Sequence, residues 1–173
     1  MRRISALVDH EITWKELPGF KSEYELRFGD DLVATMKLPK MLSSAAVFQC
    51  EEGSWTIDRV GLLSSKTVVR AGTSNAELAT YTGRTWKGGG TLELTEGRKL
   101  ELRTSIWKST FEWCTNAGES LVFMKGRGFL KYYVDVRMNR AALKWPELPW
   151  LVALAFYQMI MMRRDSAAHS AVH

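Results

Sequence analysis

Histidine, cysteine and proline are scarce in this chain, with three, two and four among 173 residues. The histidines are His10, His169 and His173, all near a terminus, so no cluster with zinc-ligand spacing forms and no metal site is expected. There is also no Gly-x-Ser-x-Gly elbow, so a Ser-His-Asp arrangement has no residues to build it. Neither cysteine has a basic partner in its own run. The chain therefore reads as non-enzymatic, with no catalytic residue and no cofactor. Cys50 and Cys114 lie in apolar, strand-like runs without short paired spacing, and are expected to be reduced and structural in a cytoplasmic protein. The apolar stretch Ile4 to Val8 is too short for the core of a secretory leader.

Long helical periodicity is likewise missing between residues 11 and 140. In its place are short runs of period-two alternation broken by Gly, Asn and Asp, the pattern of antiparallel strands joined by hairpins. The clearest hairpin is Thr91 to Thr95 with Lys99 to Thr104, in which Leu92, Leu94, Leu100 and Leu102 share one face and Glu93, Glu101 and Arg103 the other. Glu96-Gly97-Arg98 turns it. Leu130 to Met138 gives the last strand, and Glu11 to Leu17 is the weakest candidate for a first one. The count is eleven strands, or twelve with the first.

One stretch lacks charge altogether. Leu148 to Met162, LPWLVALAFYQMIMM, is apolar on every face of a helix, interrupted by the polar groups of Tyr157 and Gln158. Such a helix must be surrounded, by lipid or by protein. Fifteen residues rise about 22 Å, short of the roughly 30 Å hydrocarbon core of a bilayer. Two cations flank the run on each side, Arg140 and Lys144 before it and Arg163 and Arg164 after it, so charge gives no membrane orientation. Length favours burial in protein over a tail anchor. A dozen strands and one oily helix have an economical arrangement, in which the sheet closes to remove its edges and the helix fills what would otherwise be a hollow interior. The expected fold is mainly β, a closed antiparallel barrel of about twelve strands enclosing a hydrophobic C-terminal α-helix. Residues 1–173 form a single domain in this reading, with strands over about 11–138, the helix over about 147–164 and a disordered tail over 165–173.

That layout resembles the tubby C-terminal-domain-like superfamily, which includes the LURP-one-related proteins and the phospholipid scramblases. The strand series from Glu11 to Met138 and the helix Leu148 to Met162 carry the resemblance, which is one of pattern rather than of a signature motif. It implies a twelve-stranded barrel threaded by its helix, acting as a binding module or scaffold at a membrane surface rather than as an enzyme. The proline-rich arm, cysteine cluster and acidic calcium-binding segment of scramblases have no counterpart here, so lipid translocation is not implied.

Charge gives the remaining lead. Residues 1–80 carry 10 basic and 11 acidic side chains and residues 81–173 carry 14 and 8, so the net +5 resides in the second half. An anionic membrane surface or phosphoinositide-like headgroup is the partner this fits, and Arg84, Lys87, Lys125, Arg127 and Lys131 are the candidate rim for it. Gly88-Gly89-Gly90 opens a strand rather than a helix, and so reads as a hairpin connection, not a nucleotide phosphate loop. Trp86 and Trp107 lie near turns without a base-stacking motif, and no nucleic-acid partner is expected. The acidic pairs Asp30-Asp31 and Glu51-Glu52 read as solvated turn residues. Two other readings stay open: a tail-anchored membrane protein with a cytoplasmic β domain, and a carrier whose barrel holds a lipid-like guest. The location that follows is cytoplasmic or membrane-peripheral.

Overall fold

The computed structural model describes residues 1–20, 22–38, 44–61, 66–84, 88–128 and 131–171. Twelve strands follow one another: β1 (Glu11–Glu16), β2 (Glu23–Phe28), β3 (Asp31–Lys37), β4 (Ala46–Cys50), β5 (Gly53–Val60) and β6 (Lys66–Ala71), then β7 (Glu77–Gly83), β8 (Gly90–Leu94), β9 (Lys99–Ser105), β10 (Thr110–Thr115), β11 (Ser120–Arg127) and β12 (Tyr133–Met138). Each pairs antiparallel with its neighbours in sequence, and β1 pairs with β12 to close the barrel. The strand that sequence reads least clearly is thus the one that seals the sheet. Its alternation is thin because only Ile12 and Trp14 point inward, yet both are fully buried. On its outer face Thr13 donates to Asp135 (3.0 Å) and Arg137 reaches Glu11 (2.7 Å), tying the seam together.

The helix α1 (Leu148–Ala171) threads this barrel. Strands on opposite sides of the wall reach it. Trp14 of β1 stacks on Phe156 with ring centroids 4.3 Å apart, and Tyr24 of β2 meets the same ring edge-on. From β10, Trp113 donates its indole N–H to the Leu151 carbonyl (2.9 Å). The polar groups of Tyr157 and Gln158 in the oily run are satisfied: the Tyr157 hydroxyl donates to the Ser44 carbonyl (2.6 Å) and the Gln158 amide to the Thr67 hydroxyl (3.0 Å). A buried polar group costs little once it is hydrogen-bonded. The interior is therefore filled by the chain's own helix, which the barrel wall buries from Leu148 to Met161, Gln158 excepted. Among the described residues no helix is long and apolar enough to cross a membrane.

α1 is longer than the apolar run. It continues through 165–171, the stretch that reads as a disordered tail in sequence. Two ties hold the extension. Arg59 of β5 forms a two-pronged ion pair with Asp165, and Arg164 donates to the Ser22 hydroxyl (2.8 Å).

Because strands alternate in direction, all odd strands run toward the end where α1 leaves the barrel, and the other end receives its N-terminus. The receiving end is covered. Ile4 and Leu7, in a 3-10 turn, are buried against the core, and Glu52 accepts from both the backbone N–H (3.0 Å) and the hydroxyl of Ser5. Arg2 pairs with Asp31. Of the acidic turn residues, Glu52 thus anchors the N-terminal segment, a departure from the solvated reading that arises because its partner lies 47 residues away, while Asp31 stays exposed in its pair with Arg2. Arg98 pairs with Glu147 and covers the Trp145 ring at the start of α1. Cys50 and Cys114 are both free thiols.

Candidate functional site

The opposite end is open around the departing helix. A cleft of about 1110 Å³ lies between the last turns of α1 and the wall formed by β12, β1 and β2. Two facts of sequence build it. The apolar run ends at Met162, so the next residues, Arg163 and Arg164, fall where the helix meets solvent. The β11–β12 connection then supplies a flat surface for one of them. Gly126 of β11 has no side chain, and a Cβ there would sit 2.7 Å from the Tyr132 hydroxyl. Tyr132 can therefore lie close over the strand, and the Arg163 guanidinium stacks on its ring 3.6 Å from the centroid. Guanidinium over an aromatic face is a favourable geometry that leaves the N–H edge free to meet an anion.

Lys15, Arg27, Arg59 and Lys131 join Arg163 and Arg164 in lining the cleft, facing the carboxylates Glu16, Glu25, Asp30 and Asp165. Glu25 is held by Arg27 (2.7 Å) and Asp165 by Arg59 (2.8 Å). Among the described residues Lys15, Lys131, Arg163 and Arg164 have no carboxylate ion-pair partner, so the cleft keeps a local positive excess. The phenols report the same field. Burial pushes the Tyr24 hydroxyl above its ordinary pKa, with Glu16 adding to the rise, while the charges of Arg164 and Arg163 pull it back. Burial likewise raises Tyr132, and Arg163 opposes it.

The five rim residues read from sequence scatter around this picture. Lys131 lines the cleft. Arg84 is paired with Glu101, whose carboxyl it holds below the usual range, and Arg127 is paired with Asp135 (2.7 Å) while lying over Tyr133. Lys125 borders a separate, smaller groove with Trp107, Lys108 and Arg137. Lys87 lies outside the described residues. Of the four described, Lys131 alone therefore joins the cleft cations that have no carboxylate partner among the described residues. Arg163 and Arg164 were visible in sequence only as flanking charges. The signal that marks them is positional: cations directly after an enclosed helix mark where it must leave its enclosure. The triple glycine also resolves. A Cβ on Gly89 would fall 2.1 Å from the Leu102 carbonyl oxygen, so close packing of the β7–β8 connection on β9 requires glycine there.

The barrel has a solved counterpart. The X-ray structure of the Arabidopsis thaliana protein AT5G01750 superposes on this chain with a TM-score of 0.62 at 13% identity, covering 91% of this chain and 94% of the other. At that identity the likeness shows the fold alone. The sequence matches no protein-family model and no curated protein.

Proposed function

We propose that this protein is a non-enzymatic, tubby- or LURP-one-like barrel that binds an anionic lipid headgroup in the cleft where α1 leaves the wall. The observation that carries the reading is the set of four cations that have no carboxylate partner among the described residues, Lys15, Lys131, Arg163 and Arg164, gathered around Tyr132 and Tyr24. Phosphate or phosphodiester oxygens would meet guanidinium and ammonium donors there, and the phenol faces would cover the apolar side of a headgroup. The twelve-stranded wall with its enclosed helix, shared with the plant structure, is consistent with this family of barrels. An enclosed helix also leaves the surface as the place where a ligand can bind.

Co-sedimentation with phosphatidylcholine vesicles, with and without phosphatidylserine or phosphoinositide, tests this. Binding should require the anionic lipid and weaken with salt. Reversing two charges, Lys15→Glu with Lys131→Glu, should weaken partitioning about tenfold or more, at roughly 1 kcal/mol for each cation removed at an anionic surface and more for a reversal. Equal binding to neutral vesicles, or indifference to the reversal, would remove the reading.

A further inference from the structure

Large apolar side chains cluster on one sector of the open end, on the tips of hairpins where no core needs them. At the tip of the β9–β10 hairpin, Trp107 is 97% exposed and Ile106 is 68% exposed. A tryptophan so fully in water is unusual for a side chain whose burial is worth several kcal/mol. At the β1–β2 connection Phe20 is 61% exposed. In the closed order of the sheet, β9, β10, β11, β12, β1 and β2 are consecutive, so these connections and the β11–β12 one between them are three successive hairpins of a single rim. All three are reached at the ends of odd strands, the end where α1 emerges. The middle hairpin bears Lys131 beside Tyr132, and Arg163 of the departing helix stacks there. Next to Trp107 is the exposed Lys108.

The β9–β10 tip is held in shape. Ser109 takes a left-handed backbone conformation (φ +52°), its N–H bonds to the Ile106 carbonyl (3.1 Å), and its own carbonyl accepts from Gly126 (2.8 Å). Ile106 and Trp107 are thus presented on a fixed turn, which lowers the ordering cost of inserting them into a partner.

We propose that this sector is a membrane-docking face, in which Ile106 and Trp107 enter the interfacial layer of an anionic bilayer, Phe20 makes a second apolar contact, and Lys108, Lys131 and Arg163 lie at headgroup level. Tryptophan belongs at that depth because its ring is apolar and its indole N–H still reaches polar groups. Cations beside Trp107 and on the neighbouring hairpin suit the negative surface of the same bilayer. Apolar tips among cations favour a bilayer over a purely polar polyanion, for which the isoleucine and phenylalanine would have no use. The inference rests on the headgroup reading above and adds to it an orientation and an inserted element.

The test is vesicle co-sedimentation of the full chain on phosphatidylcholine with phosphatidylserine, comparing wild type, Ile106→Ser with Trp107→Ser, and the conservative Trp107→Phe. The double variant should lose at least about tenfold in partitioning, and Trp107→Phe should retain most of it. Lipids brominated near the headgroup should quench part of the wild-type tryptophan emission and quench Trp107→Phe less. Equal melting temperatures confirm that the variants are folded, since these side chains are in solvent. If the double variant binds like wild type while the Lys15→Glu, Lys131→Glu protein does not, the docking face is overturned and the cleft survives. If wild type ignores anionic vesicles, both fail.

Discussion

At the scale of single residues, the two thiols show how position decides chemistry. Cys50 ends β4, half-buried, with the Glu52 carboxylate two residues on; loss of hydration first, and that negative charge second, push its pKa from an ordinary 9.0 up to about 12. Its neutral form is thus favoured by the fold. Below pH 9 that contribution is fully present. As pH rises toward 12, unfolded chains ionise their thiol while folded ones do not, so the equilibrium drifts toward unfolding. Tyr81, raised by burial to about 12, adds to the drift from about pH 10. Melting temperatures should therefore fall between pH 9 and 12, and Cys50→Ser should fall less steeply over the first part of that window. Parallel curves for the two proteins would contradict the account. Sequence reading placed both cysteines in strands, but the pairing of Arg84 with Glu101 and Arg127 with Asp135 lay beyond it, because cross-strand partners are set by register and not by separation along the chain.

At the scale of elements, the oily stretch was legible because an all-round apolar helix has few places to go. Its C-terminal limit was not. Arg163 to Ala171 carries no apolar stripe, and what keeps it helical is a bond to β5 through Asp165 and one to Ser22 through Arg164, contacts no local pattern encodes. The helix acts as the core of the barrel, and its central ring is Phe156, stacked on Trp14 and met edge-on by Tyr24. Phe156→Ala would leave a cavity between the helix and two strands that cannot collapse without breaking their ladders. It should cost about 3–5 kcal/mol, read as a lowered urea midpoint with an unchanged slope. A loss below about 1 kcal/mol would mean that α1 lies loosely in its enclosure.

Across the whole molecule, eleven of the twelve strands can be picked out by alternation and turn residues, with β1 only a weak candidate, and closure can be argued from the need to bury a helix. What sequence could not show was the weight resting on β1. Its six residues pair with β2 on one side and with β12, more than a hundred positions later, on the other, so the first and last strands must meet before the helix is sealed in. A break at that seam should be felt everywhere. Thr13 faces Asp135 on one side and Arg27 on the other, and Thr13→Pro removes a ladder donor in a strand that has no free edge. The loss should be about 3 kcal/mol. It should appear equally by helix circular dichroism and by exchange of amides in β6, which lies across the barrel and meets the helix through Thr67 and Gln158. If β6 kept its full protection while the β1 seam opened, the barrel would be two loosely joined halves, and the enclosure of the helix would have to come from one of them alone.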